Sequence, residues 1–176
     1  INITGGEPFV RKDLLDVLQA ISQRPFYRNI DIQTNGVFIS DHPEVLNELK
    51  GDGVTGLGIS IDGFESTHDS LGGKTGSWAK AINAARLSVQ AGYVVTVSFV
   101  AHSKNFQELA AFHRFVVDEI SPRVFRVMFI DPIGRAQENA EYLLAPDQIR
   151  EVIAFLKTEY EQSCGNYSDP STTMVE

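Results

Sequence analysis

Cysteine is almost absent: Cys164 is the only one in 176 residues. An internal disulfide is therefore excluded, a cysteine cluster site cannot be built, and the chain suits a reducing, cytoplasmic compartment. Runs of Lys and Arg are missing too. With 23 acidic against 15 basic residues the net charge is −8, which disfavours general binding to nucleic acid or to an anionic membrane. No stretch of about 18 apolar residues occurs, so no membrane span is expected. The first residue is Ile1 and not Met, no signal-peptide pattern follows, and Ile1 enters as if in mid-strand. The chain reads as a piece of something longer.

What is present begins with Ile1-Asn2-Ile3-Thr4-Gly5-Gly6-Glu7-Pro8, an apolar strand end that turns a corner into a periodic helix. Two glycines bare the backbone to a ligand, Pro8 stops the strand, and Glu7 sets one negative charge beside them. Such a corner suits an ammonium group and repels a phosphate. Gly-Gly before Pro is also ordinary turn punctuation, so the remaining strand ends must decide between the readings.

Leu14, Leu15, Val17, Leu18 and Ile21 follow the helical period, and Pro25 ends that helix. Ile30 and Ile32 alternate with polar neighbours in a strand that turns at Thr34-Asn35-Gly36. Asp41, Pro43 and Glu44 form a capping pattern before the short helix of Val45, Leu46 and Leu49. A third strand runs from Val54 to Ile61, and a polar loop from Phe64 to Gly76 precedes a helix bearing Trp78, Ile82, Ala85 and Val89. Tyr93 to Ala101 is a Val-rich strand, Phe106 to Ile120 a helix, Val124 to Ile130 a fifth strand, and a last helix begins near Pro146. Repeated strand–helix alternation predicts an α/β fold with parallel strands, either doubly wound or part of a barrel. A full (β/α)8 barrel needs roughly 200 residues or more, so only a partial barrel fits.

In such folds ligands sit at the C-terminal strand ends, where the polar tips fall. Ser60 and Asp62 lie two apart and share a face, two hydrogen-bonding groups side by side. An Asp62-Gly63 hairpin turn is the competing reading, disfavoured because no alternating apolar run follows. Gly72-Gly73-Lys74-Thr75 lacks the first glycine and the strand of a P-loop, and Gly56-x-Gly58 lacks the third glycine of a dinucleotide fingerprint. His42, His68, His102 and His113 show no metal-ligand spacing and are expected on the surface or in loops.

Thr4-Gly-Gly-Glu-Pro8, Thr34-Asn-Gly36, Ser60-Ile-Asp-Gly63, His68-Asp69 before Gly76-Ser77, Asn105, and Pro132-Ile-Gly-Arg-Ala136 occur on successive strands. In that order they resemble the radical S-adenosylmethionine (SAM) enzymes of the peptide-maturase, SPASM-bearing kind. The resemblance implies a partial (β/α)6 TIM-like barrel, with about five βα units in this chain. It divides the chain into a core over 1–163 and the start of a linker to a C-terminal extension over 164–176. It further implies SAM and a [4Fe–4S] cluster as cofactors, cleavage of SAM to a 5′-deoxyadenosyl radical, an electron donor, and a peptide or protein substrate of open identity. The cluster's Cys-x3-Cys-x2-Cys ligands are not in the chain, so metal ligands are expected outside it. By the same resemblance Thr4, Gly5, Gly6, Glu7 and Pro8 hold the methionine end, Ser60, Asp62 and Asn35 line the cofactor, and the backbone of Ile130 and Asp131 meets the adenine. Thr34 and Arg135 face the substrate. Gly72 stands where the family commonly has Arg, which puts the anchoring of that loop in question. Two other readings stay open: a cluster-free binding module on the same barrel, and a metal-independent barrel enzyme such as an aldolase. The latter wants a strand-end lysine or paired acids, and only Lys104 lies near.

Overall fold

The computed structural model describes residues 1–24, 26–27, 29–133, 135–164 and 174–175. Six strands among them form one sheet in the order β1 to β6: Asn2–Ile3, Ile30–Thr34, Val54–Ser60, Val94–Ala101, Val124–Phe129 and Met174–Val175. Every neighbouring pair is parallel. The order never reverses, so there is no switch point of the doubly wound kind, and the sheet is a stretch of barrel wall. Met174–Val175 places a strand on β5 inside the segment expected to begin a linker.

Between the strands run helices α1 (Leu14–Ser22), α2 (Val37–Asp41), α3 (Val45–Gly51), α4 (Glu65–Gly72), α5 (Ser77–Gln90), α6 (Leu109–Glu119), α7 (Arg135–Glu138) and α8 (Pro146–Cys164). Four depart from the sequence expectation, α2 and α7 being short helices it did not contain. Residues 65–72, expected in a polar loop, form α4, which has no fully buried side chain and so left no apolar period to detect. The expected Asp41 cap does not form: α3 starts after Glu44 without a side-chain cap, and Asp41 ends α2 and pairs with Lys80 Nζ at 2.6 Å. Pro25, expected to end α1, is outside the described residues.

The two sheet faces differ in chemistry. Ile30 and Ile32, Leu57 and Ile59, and Val95, Val97 and Phe99 are buried in one core with Leu18, Leu49, Ala81, Ala85 and Phe112 of the helices. Rings of Phe99, Phe112 and Phe125 sit 5.8 to 6.2 Å apart at the centre of this layer. Burying each such side chain is worth roughly 1.5–3 kcal/mol. On the opposite face lie Asp31, Gln33, Thr96 and Arg126, around a hollow of about 260 Å3. A Cβ on Gly56 or Gly58 would fall 2.0 Å from the side chain of Asp31 or Gln33, so these glycines let polar side chains lie across β3. A doubly wound sheet buries both faces under helices; a polar second face belongs to the inside of a barrel wall.

Histidine burial also differs from expectation. His102 and His113 are buried, 3% and 8% exposed, and only His42 is on the surface. His113 sits edge-on to Phe125 and Phe155, and His102 edge-on to Tyr142. Each ring fills an aromatic slot in the core, which a spacing search for metal ligands does not detect. Among the described residues no helix is long and apolar enough to cross a membrane.

Candidate active-site cleft at the strand ends

Because all strands are parallel, their C-terminal ends gather at one edge, and the polar tips gather with them. The corner after β1 is built around Glu7. Its carboxylate accepts from the amide of Phe9 at 3.2 Å, the hydroxyl of Thr34 at 2.8 Å and the amide of Asn35 at 2.8 Å. One side chain thus starts the 3-10 turn at Pro8–Val10 and ties the tip of β1 to the tip of β2. Thr34, 3% exposed, also accepts from the amide of Gly36 at 3.1 Å, so its hydroxyl is committed inside the protein. Asn35 Oδ1 accepts from the amide of Val37, the first residue of α2, at 2.9 Å. Gly5 and Gly6 are exposed, neither has a positive φ, and a Cβ on either would meet nothing within 4 Å. Nothing in the fold demands glycine there; the bare backbone faces open space.

The β3 tip is braced as firmly. Asp62 Oδ1 accepts from the amide of Val100 at 2.8 Å, and the Asp62 amide donates to His68 Nδ1 at 3.1 Å. Asn105, 1% exposed, donates from Nδ2 to the carbonyls of Asp62 and Val100 and accepts at Oδ1 from the amide of His102, which locks the ends of β3 and β4 together. Burial pushes the Asp62 carboxyl above the usual carboxylate range, against the opposing pull of the Val100 amide and of His68. Glu108, which the sequence did not single out, accepts from the Phe64 amide and the Thr67 hydroxyl and so holds the start of α4. Its position, at the foot of an amphipathic helix, gave no signal of this.

These braces frame a cleft of about 550 Å3 lined by Glu7, Asn35, Ser60, Asp62, His68 and Lys74, with an apolar wall from Phe9, Val10, Phe38 and Leu71. Phe9 and Phe38 stack at 5.0 Å. Of the residues expected at the site, Glu7, Asn35, Ser60 and Asp62 come together here. Thr4, Gly5 and Gly6 lie on the adjoining corner, Pro8 is buried under it, and Thr34 stands behind Glu7. Ile130 and Asp131 follow β5, two strands beyond β3 and outside this cleft. The side chain of Arg135 and the whole of Gly134 are outside the described residues. Sequence reasoning missed the ring wall, since Phe9 and Phe38 are distant in the chain, and it expected His68 on the surface or in a loop, where the structure sets it in the cleft.

Asp69, next to His68, points the other way and accepts from the amides of Gly76 and Trp78 and the hydroxyl of Ser77 at 2.5 to 2.9 Å. It closes the connection into α5, although Gly72 stands where the resemblance expects Arg. These donors, the Trp78 amide foremost, hold its carboxyl below the ordinary value. A depressed folded pKa gives stability that is present above the unfolded value near 4 and lost as pH falls through the folded one. Asp69→Asn is therefore expected to lower the thermal midpoint at pH 7 and to flatten its decline below about pH 4. Parallel acid branches for both proteins in a pH series of melting curves would contradict this.

The comparisons agree with this geometry. The Radical SAM superfamily model matches residues 1–116. GTP 3′,8-cyclase of Pseudomonas savastanoi is 32% identical over 160 residues, covering 88% of this chain and 46% of that protein. PqqA peptide cyclase of Granulibacter bethesdensis is 31% identical over 110 residues, 62% of this chain and 28% of that one. The chain thus spans less than half the length of these curated relatives. Among solved structures, native anSMEcpe with bound AdoMet and Kp18Cys peptide superposes with a TM-score of 0.70 at 18% identity, over 99% of this chain and 49% of that one, a likeness of fold. With a family match over more than half its length and the strand-end architecture in place, the chain belongs to the radical SAM superfamily.

Proposed function

We propose that the cleft binds SAM and that the longer protein containing this chain is a radical SAM oxidoreductase acting on a peptide or protein. The observation that carries the reading is the corner at Glu7, whose carboxylate is fixed by Thr34, Asn35 and Phe9 beside the open backbone of Gly5 and Gly6. The donor set fits SAM, a cationic amino-acid nucleoside. A fixed negative charge and bare backbone carbonyls suit its ammonium group, while Ser60, Asp62 and the side-chain NH2 of Asn35 suit its hydroxyls and carboxylate. In this proposal Thr4, Gly5, Gly6, Glu7 and Pro8 shape the methionine end and the backbone of Ile130 and Asp131 lies toward the adenine. Thr34 acts by holding Glu7, and Arg135 faces the substrate side.

When bound, SAM supplies a radical able to abstract hydrogen once an electron donor reduces the cluster. What this chain contributes is placement: braced strand tips hold polar groups in fixed directions, and Phe9, Phe38 and Leu71 give the site one apolar side. The cluster does not fit these residues. Thiolates are its ligands, Cys164 is the only cysteine, and no trio of His, Cys, Asp or Glu among the described residues is grouped for a metal ion. We place the cluster's ligands outside residues 1–176, the core in 1–163, and the connection to a further segment in 164–176. A peptide or protein substrate is supported by the similarity to a peptide cyclase and by the exposed apolar rim at Val10 and Phe38. The acidic balance supports a protein without nucleic-acid or membrane partners, and the lone cysteine a cytoplasmic one.

The test is made on the full-length protein, reconstituted with iron and sulfide without oxygen. Stoichiometric SAM binding and release of 5′-deoxyadenosine under a reductant are expected. SAM binding with no cleavage and no cluster would instead establish a binding module on the same fold.

A further inference from the structure

His68 lines the cleft, and no reading above has given it a role. It follows β3 on α4, next to Asp69, yet the two neighbours face opposite ways. Asp69 closes the α4–α5 connection, and His68 turns back to the tip of β3, where its Nδ1 accepts from the amide of Asp62. A ring nitrogen that accepts carries no proton, so the neutral imidazole has its hydrogen on Nε2. Burial lowers the His68 pKa, with Asp62 and Asp69 pulling the other way, which favours this neutral form at pH 7.

The three half-buried or buried histidines differ at Nε2. In His102 and His113 that atom is sealed in the protein without a partner. His68 Nε2 is not sealed, has no hydrogen bond among the described residues, and belongs to a ring that lines the cleft with Glu7, Ser60 and Asp62. Holding the Asp62 amide requires only an acceptor, which a shorter polar side chain supplies. The second nitrogen is what an imidazole adds.

We infer that His68 is a ligand-contacting residue, presenting a fixed Nε2–H donor to an oxygen acceptor of the nucleoside amino acid in the cleft. This rests on the reading that the cleft binds SAM. A neutral donor repels an ammonium group and selects a carboxylate or a ribose hydroxyl. The ligand is thereby oriented, with its cationic end at Glu7 and an oxygen at His68.

Two variants of the full-length protein separate the two ring nitrogens. His68→Asn keeps an acceptor near the Nδ1 position and has nothing at Nε2; His68→Gln reaches the Nε2 position with an amide donor and gives up the contact to Asp62. By equilibrium dialysis His68→Asn should bind SAM about tenfold more weakly, the loss of one hydrogen bond, with an unchanged thermal midpoint. His68→Gln should recover most of the affinity at a lower midpoint. Repeating the measurement with 5′-methylthioadenosine, which lacks the amino-acid end, locates the acceptor: a loss confined to SAM assigns the carboxylate, and an equal loss for both assigns the ribose. Nitrogen-15 NMR of the iron-free full-length protein should show His68 as the Nε2–H tautomer. Unchanged SAM affinity in His68→Asn, or an Nδ1–H tautomer, overturns the inference while the SAM reading stands. If the wild-type protein itself binds no SAM, the reading of the cleft falls and this inference with it.

Discussion

Glu7→Ala should abolish high-affinity SAM binding and destabilise the domain by about 2–4 kcal/mol, the joint consequence of one side chain serving both ligand and fold. The carboxylate receives three donors from two strand tips. Hydrogen bonds to a charged acceptor are worth about 1.5–3 kcal/mol each, but the Asn35 amide is exposed and regains water, so the three do not add in full. The main cost is Thr34, whose hydroxyl is buried and has no water to turn to. Glu7→Gln tests the chemistry at constant size. With its amide oxygen on Thr34 and Phe9, its NH2 group meets the Asn35 amide donor to donor, so a loss of about 1–2 kcal/mol is expected. Urea unfolding at constant m-value measures both, and a cycle with Thr34→Val isolates the pair. Wild-type stability and wild-type SAM affinity in Glu7→Ala would show that the corner is an ordinary turn.

Gly36→Ala is expected to cost about 2–5 kcal/mol, through backbone and packing together. Gly36 has φ +79°, and an added Cβ would lie 2.9 Å from Ala84 Cβ and 3.3 Å from the backbone of Ala81. The left-handed conformation costs an L-residue about 1–2 kcal/mol, and forcing a methyl against a helix backbone about 1–3 more. Neither obstacle is a flexible side chain that can swing away. Combining Gly36→Ala with Ala84→Gly removes the closest contact and leaves the dihedral strain, so the double mutant should recover about 1 kcal/mol relative to additivity. A shift of less than about 0.5 kcal/mol for the single mutant would contradict the close packing of α2 on α5.

Thr34-Asn35-Gly36 shows how much could be read in advance. Its residue types announce a turn with two hydrogen-bonding side chains, and the structure contains that turn. Which group bonds what was not legible, because Thr34 answers to a residue 27 positions away and Gly36 to a helix almost 50 positions on. Local chemistry writes the motif, and long-range packing assigns its partners.

Residue order alone determined the strand–helix alternation, the buried apolar faces, the polar strand ends and the family, because periodicity and turn chemistry act over a few residues at a time. Tertiary structure decided three things. The sheet runs from β1 to β6 without reversal and keeps a polar inner face, which separates a barrel wall from a doubly wound sheet. Residues 65–72 are helical without an apolar stripe because Glu108 and Asp69 anchor their two ends, contacts invisible to periodicity. Finally, His68 stands in the cleft and His102 and His113 in the core although all three are the same residue type, since exposure is set by what the fold brings alongside each ring.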